Sequence, residues 1–202
     1  IAVTLGILAL FHAARGFADD RPLPAACTYE TRRWSVALKR SVDAGTVSHP
    51  YSELAGDEVD PATGCTVCSE DQERVVVPPL EPFFLCRKIA ARVRAALEGL
   101  LRSGAPVFEV VGYHVIRSRG PVDGAGNRTG FSNHSYGTAV DVNPELNGLY
   151  DHCPEFGPRC RLVRGGEWRP GARGTLEEGG AIVRAFTSLG LRWGGEIAGR
   201  QK

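Results

Sequence analysis

The stretch from Ser132 to Asn143, SNHSYGTAVDVN, constrains the fold of this chain more than any other feature. It places an imidazole, His134, and a carboxylate, Asp141, seven residues apart on either side of Gly137. After the glycine, β-branched residues alternate with other residues, which predicts a strand with its apolar side chains on one face and Asp141 on the other. Gly137 can adopt the tight turn that brings His134 back toward this strand. Neutral imidazole and carboxylate both bind Zn²⁺, so the stretch predicts two ligands of a metal site.

The same letters fit the pattern SxHxxGxAxD. The chain therefore resembles peptidase family M15, the zinc D-Ala-D-Ala carboxypeptidases and L-Ala-D-Glu endopeptidases. Asn143-Pro144 and Asn147 resemble its cell-wall and phage-lysin branch in particular. The resemblance covers roughly residues 83–202, is specific in 132–143, and extends to the Trp-Gly-Gly turn in residues 191–196.

The resemblance implies a zinc hydrolase that cuts a peptide bond of the peptidoglycan stem peptide. It also implies an α+β fold like that of DD-peptidases and Hedgehog domains, a small antiparallel sheet with helices packed on one side. His134 and Asp141 would bind Zn²⁺, with Ser132 and Gly137 supporting the turn. In the family a DxMH segment supplies the general base and the third ligand, and the sequence reaches Lys202 before such a segment. We therefore expect both to be missing from this chain, with Glu196 a poor substitute.

An arginine at the end of the preceding strand contacts the substrate in related enzymes, and two residues compete for that role here. Arg117 extends the predicted strand 107–116, whereas Arg119 begins the following glycine-containing loop. A guanidinium suits both a carboxylate and a developing oxyanion. We favour Arg117 for this role, with Arg119 as the alternative. The non-functional interpretation is that both arginines are surface charges. His114 lies on the opposite face of that strand and is interpreted as structural.

Two other classes of function remain open. One is a zinc-bearing module on the same scaffold that binds cell-wall peptide or protein without hydrolysis. The other is a disulfide-rich structural protein without metal, which requires the motif to be accidental. A net charge of +1 argues against a dedicated nucleic-acid or membrane-surface protein. We expect a monomer without a stable membrane span.

Residues 1–18 are typical of a signal peptide. An uncharged apolar run at 1–10 is too short to span a bilayer, and the small-x-small triplet Gly16-Phe17-Ala18 predicts a cleavage site. The basic region that normally comes first is missing, so we expect the sequence to be cut at its front. The prediction is a secreted protein, periplasmic or extracellular.

Export makes disulfides the expected state of the six cysteines. Cys153 and Cys160 flank a loop rich in proline and glycine, which predicts a local bridge. The other four, Cys27, Cys65, Cys68 and Cys86, are expected to attach an N-terminal extension to the domain, in a pairing that the sequence leaves open. Cys65-x-x-Cys68 lacks the second pair that a structural zinc site requires.

We divide the mature chain into a loop-rich extension at 19–82 and a peptidase-like domain at 83–202. In the extension, the pattern predicts a helix over 30–44, a cysteine-pinned loop over 46–72 containing a solvated His49, and a short strand over 74–77. In the domain, it predicts a core helix over 83–102 and a flexible lip over 121–131. Residues 144–173 are expected to be loop, with His152 a loop residue. A capping box at Thr175–Glu178 predicts the start of the last helix, which ends before Gly190.

Overall fold

The α+β architecture expected from the sequence is confirmed in the computed structural model, which describes residues 22–196. Within that range there are two α-helices, α1 (Arg87–Arg102) and α2 (Ala181–Thr187). The strands are β1 (Ala26–Ser35), β2 (Arg40–Pro50), β3 (Gln72–Val75), β4 (Phe83–Cys86), β5 (Val110–Val111), β6 (Arg117–Val122), β7 (Arg128–Phe131), β8 (Asp141–Val142), β9 (Leu149–Asp151) and β10 (Arg161–Arg164). The predicted signal peptide at 1–18 lies outside the described residues.

Four small sheets organise these strands. The largest has the order β2-β1-β6-β7, antiparallel except for the single parallel pairing of Arg33 with Arg117. The other three are the pairs β3-β4, β5-β8 and β9-β10, all antiparallel. The parallel pairing joins the N-terminal hairpin β1-β2 to the hairpin β6-β7 that precedes the motif.

The helix predicted over 30–44 is wrong, because this stretch forms most of the hairpin β1-β2. Cys27 and Tyr29 are buried in the alternating pattern of a strand. The cross-strand pairing of β1 with β2 outweighs the helical spacing of a few apolar side chains. Lys39, with φ 52°, lies in the turn between the two strands.

Other helix and strand boundaries also differ from the prediction, in places where strand pairing competes with the helical periodicity of the sequence. The core helix begins at Arg87 and not at residue 83, because Phe83–Cys86 pairs with β3. The capping box does not form, since a positive φ at Gly179 delays α2 to Ala181. The predicted lip over 121–131 belongs largely to the hairpin β6-β7, and the predicted loop over 144–173 contains β9 and β10.

The main core lies between α1 and the short sheets. Ala90, Val93, Leu97 and Leu100 form the buried face of α1, as the helical spacing predicted. They pack with residues from β3, β4, β5, β8 and α2, among them Val75, Leu85, Val110, Val142 and Phe186. Val142 is thus buried while its neighbour Asp141 is only partly so, which is the alternation that the motif predicted.

A second, smaller core joins the N-terminal segment to the strands around the motif. Tyr29, Val67, Val115 and Phe131 are its largest buried members. None of the helices described between residues 22 and 196 is long and apolar enough to cross a membrane.

Three disulfides link all six cysteines. Cys153–Cys160 closes the local loop as predicted. Cys65–Cys86 joins the N-terminal segment to the residue that precedes α1, and Cys27–Cys68 closes a larger loop within that segment. Both of the latter bonds are almost completely buried.

Candidate metal and peptidase site

The motif forms a tight turn that leads into β8. Asn133–Tyr136 makes one 3₁₀ turn, and Gly137 ends it with φ 63°, in the left-handed region. The Cys86 N–H donates to the Gly137 carbonyl at 3.0 Å. A Cβ at position 137 would collide with the Gln72 side chain and the Cys86 backbone nitrogen. Gly137 is therefore required both for its backbone conformation and for the close approach of β4.

The turn brings together the two residues predicted to bind metal. His134 Nε2 lies 3.3 Å from Asp141 Oδ1, and the His134 side chain is largely buried. Two ligand atoms about 2.0–2.1 Å from Zn²⁺ are roughly 3.3 Å apart when they share an edge of a tetrahedron. The observed separation is that of two ligands of one ion, although it would also suit an ion pair.

The other ring nitrogen of His134, Nδ1, shows in which form the imidazole faces Asp141. Nδ1 lies 2.8 Å from the Gly112 carbonyl oxygen, which can only accept, so Nδ1 carries the proton. In a neutral ring Nε2 is then an acceptor that faces a carboxylate oxygen, which is also an acceptor. A cation between them, either a proton or a metal ion, removes this repulsion. The Gly112 carbonyl thus holds His134 as an outer partner does for a metal-binding histidine.

Asp141 is held in its charged form. Burial acts to raise its pKa, but the hydrogen bond with His134 and the charges of His134, His114 and Arg164 outweigh burial, so that the pKa lies below its ordinary value. A carboxylate that is ionised at neutral pH is the form that binds a metal ion.

His114 stacks on His134, with ring centroids 4.6 Å apart. Burial, and next the charge of His134, lower the pKa of His114 to about 4, so the ring is neutral at physiological pH. Its Nδ1 shares the Gly112 carbonyl with His134, at 3.2 Å. The structure thus places His114 directly behind the candidate ligand, which the sequence did not predict.

Ser132 supports the turn through Ser135. The two hydroxyl oxygens lie 3.1 Å apart, and both side chains are buried. Ser135 Oγ also donates to the Ile116 carbonyl and accepts from the Ile116 N–H, each at 3.1 Å. The sequence did not single out Ser135, because its burial arises only when the turn packs against residues 114–116.

Asn143 and Asn147 hold the end of the motif strand. Asn143, at φ 49°, accepts the Phe108 N–H at 2.7 Å and donates to the Pro106 and Gly174 carbonyls at 2.8 Å. Asn147 donates to the Gly174 carbonyl at 3.0 Å. The Asn-Pro and Asn of the motif therefore connect β8 to the segments on either side of it.

The two candidate arginines have different surroundings. Arg117 donates to Asp57 at 2.7 Å and to the Thr129 carbonyl at 2.6 Å, and its guanidinium lies 3.7 Å from the Phe131 ring centre. Arg119 donates at 3.2 Å to the side-chain oxygen of Asn133, the residue before His134. Arg117 is committed to structural contacts, whereas Arg119 extends from an exposed position toward the turn.

Within residues 22–196, no third His, Cys, Asp or Glu completes a ligand set with His134 and Asp141. One other cluster has suitable spacing, Cys27 with His49 and Glu58. Its cysteine is bonded to Cys68 and offers no thiolate, so it does not form a metal site of this kind. The prediction that His49 is a solvated loop residue is wrong, since it lies in β2 with Nε2 3.0 Å from the buried Glu58.

The family resemblance suggested by the motif is supported by a match to a protein-family model. Residues 125–199 match the M15 family model described as D-alanyl-D-alanine carboxypeptidase. The resemblance to peptidase family M15 is confirmed. The M15 match contains both candidate ligands, the supporting Ser132 and Gly137, and the hairpin β9-β10. No curated protein and no solved structure matched the chain. A peptidase-like function follows from the M15 match, and a peptide is the class of substrate that it indicates.

Proposed function

We propose that this chain is a zinc metallopeptidase that hydrolyses peptide bonds in the peptidoglycan stem peptide, as a D-Ala-D-Ala carboxypeptidase or an L-Ala-D-Glu endopeptidase. The observation that carries the proposal is the pairing of His134 Nε2 with Asp141 Oδ1 at 3.3 Å, with Nδ1 held by the Gly112 carbonyl. Both donor types suit Zn²⁺, and their separation fits one tetrahedral ion. The M15 match supports the reaction class.

Each residue then has a defined role. Bound Zn²⁺ would polarise the scissile carbonyl and lower the pKa of a water molecule to about 7. His134 and Asp141 would hold the ion, while Gly112 and the stacked His114 keep the imidazole of His134 in the required orientation. We propose that a DxMH-type segment, of the kind the family resemblance implies, supplies the third ligand and the general base.

We assign the substrate-binding arginine to Arg119 in preference to Arg117. Arg117 is engaged by Asp57, the Thr129 carbonyl and the Phe131 ring, so releasing it would break all three contacts. Arg119 has one contact, with the Asn133 side chain beside His134. Its guanidinium fork suits a carboxylate or the oxyanion of the reaction.

We further propose that the protein is secreted. Three disulfides support this, since such bonds persist in oxidising compartments and are rare in the cytosol.

The metal site is tested by zinc titration against a competing chelator, with protein expressed from the complete reading frame. Asp141→Asn should weaken zinc binding by more than the roughly 10–100-fold typical of losing an outer partner, since a ligand itself is changed. Asp43→Asn is the matched control, because Asp43 is an exposed aspartate that pairs with Arg33 and should leave the affinity unchanged. Equal affinities for Asp141→Asn and the unmodified protein would exclude the site.

The alternative is a zinc-bearing module that binds cell-wall peptide without hydrolysis. The observation behind it is that, within residues 22–196, no further carboxylate is grouped with His134 and Asp141, so none is placed beside this pair to act as a general base. Incubation of the zinc-loaded protein with muropeptides, followed by mass spectrometry, separates the two functions. Loss of a terminal D-Ala, or cleavage between L-Ala and D-Glu, supports the peptidase, whereas binding without cleavage supports the module.

A further inference from the structure

The hairpin β9-β10 is attached directly to the segment that follows Asp141. The Gly166 N–H donates to the Pro144 carbonyl, and the Gly148 N–H donates to the Gly166 carbonyl, both at 3.0 Å. A Cβ at Gly165 or Gly166 would collide with the backbone of Pro144 or Glu145. The end of β10 therefore lies against the chain three residues beyond the candidate metal ligand.

A bulge in β10 places two arginines on the same face of this hairpin. Arg161 pairs with Asp151 and Arg164 pairs with Leu149, with the register shifted between Leu162 and Arg164. Since Leu149 and Asp151 alternate around the buried Tyr150, they share the outer face, and so do their partners Arg161 and Arg164. Without the extra residue, positions 161 and 164 would face opposite sides.

Arg164 is the last residue of β10, directly before the two glycines that lie against Pro144 and Glu145. Its carbonyl oxygen lies next to Gly148, in the segment that follows Asp141. Its side chain is on an exposed strand. A cation near the metal-binding pair, facing solvent, is well placed to meet a negative group on a bound substrate.

Farther along the hairpin there is a cavity of about 480 Å³, lined by His152, Pro154, Arg159 and Arg161. Two of its four lining residues are arginines and none is a carboxylate, so the lining is basic. Asp151 lies 3.1 Å from His152 and 3.7 Å from Arg161. The Cys153–Cys160 bond closes the loop that contains Pro154 and Arg159.

We propose that Arg159, Arg161 and Arg164, the basic face, bind the carboxylates of an extended acidic peptide, with Arg164 engaging the carboxylate nearest the bond to be cut. The inference deepens the proposed function and rests on a peptide being the substrate. Arg161 and Arg164 are two ladder positions apart, about 7 Å, which is also the spacing of residues i and i+2 in an extended peptide. A peptide, and not a phosphodiester polymer, is the class of substrate that the M15 match indicates.

The test is calorimetric binding of two synthetic peptides in EDTA, so that neither zinc nor hydrolysis contributes. One is acetyl-Ala-Glu-Ala-Glu-Ala-amide, whose carboxylates are on residues i and i+2, and the other is the same peptide with both carboxylates amidated. We expect the unmodified protein to prefer the acidic peptide by about tenfold or more, as charge-assisted hydrogen bonds are strong. Arg164→Gln should lose most of this preference and bind the amidated peptide as before. Arg102→Gln is the control, since Arg102 is exposed at the end of α1 and pairs only loosely with Glu98.

Three results would overturn the inference: a preference retained in Arg164→Gln, equal binding of both peptides by the unmodified protein, or binding of a glycerol-phosphate oligomer without binding of the peptide. The outcome is separable from that of the proposed function. A protein with the charge preference but no hydrolysis loses only the peptidase assignment. A protein that hydrolyses muropeptides without the preference loses only this inference.

Discussion

At Gly137 the absence of a side chain allows three segments of the molecule to meet. The residue ends the His134 turn at φ 63°, receives the Cys86 N–H, and leaves space that the Gln72 side chain approaches. Gln72 in turn donates to the Thr66 and Cys68 carbonyls at 3.0 Å. The position of His134 therefore depends on contacts with residues of the N-terminal segment.

Gly137→Ala should destabilise the protein by roughly 2–4 kcal/mol, because it adds a strained backbone conformation to a collision with the Cys86 backbone. Gly99→Ala is the matched control: Gly99 lies inside α1, a Cβ there would meet nothing within 4 Å, and the change should stabilise by about 0.5–1 kcal/mol. Urea unfolding measures both. Similar effects of the two substitutions would show that the turn does not require a glycine.

Among the elements of secondary structure, β2 contacts the 3₁₀ turn Gly56–Glu58 through ionisable side chains. Glu58 is buried and accepts from the Tyr29 hydroxyl at 2.6 Å and from the Ala55 N–H at 2.8 Å. His49, near the end of β2, adds a third contact at 3.0 Å. Burial acts to raise the pKa of Glu58, but these hydrogen bonds outweigh it and the pKa is lowered. The Pro50 carbonyl and then Glu58 raise the pKa of His49.

These shifts predict a mildly acidic optimum for this contact. The contribution of His49 is complete below its ordinary pKa of 6.5 and is lost as the pH rises through the higher folded value. The contribution of Glu58 to stability is complete above its ordinary pKa of 4.5. It is lost as the pH falls through the lower pKa that Glu58 has in the folded protein. Thermal unfolding should show the unmodified protein losing stability from pH 6 to 8 relative to His49→Gln. Parallel pH profiles for the two proteins would contradict the prediction. Glu58→Gln should reduce the difference without abolishing it, because the Pro50 carbonyl is the larger cause of the raised His49 pKa.

At the scale of the whole molecule, residues 51–72 are joined to residues 86–136 by several contacts close to the motif. Tyr136 donates to the Asp57 carbonyl and Tyr113 to the Val67 carbonyl, each at 2.8 Å. Asp57 pairs with Arg117, and Cys65 is bonded to Cys86, whose N–H holds Gly137. We propose that residues 51–72 are a structural part of the site and not a separable extension.

Replacing Cys65 and Cys86 by alanine should cost about 3 kcal/mol, the value expected for a bond between residues 21 apart. It should also expose to hydrogen exchange the amide of residue 86, which donates to the Gly137 carbonyl. The control is the double replacement of Cys153 and Cys160, which are 7 apart, with an expected loss of about 2 kcal/mol. That control should leave exchange at the residue 86 amide unchanged. Unaltered protection of this amide in the first variant would mean that the disulfide does not support the turn.

The sequence by itself determined the features that depend on local periodicity and on the motif at residues 132–143. These are the buried face of α1, the α+β class, the local Cys153–Cys160 bond, and the facing pair His134 and Asp141. Only the tertiary structure decided that residues 30–44 form strands, that His114 and Gly112 hold His134, that Arg117 is occupied by Asp57, and that the end of β10 lies against Pro144. The reason is physical: helix and turn signals arise between residues a few positions apart, whereas strand pairing, burial and charge neighbours depend on segments that are distant in the chain.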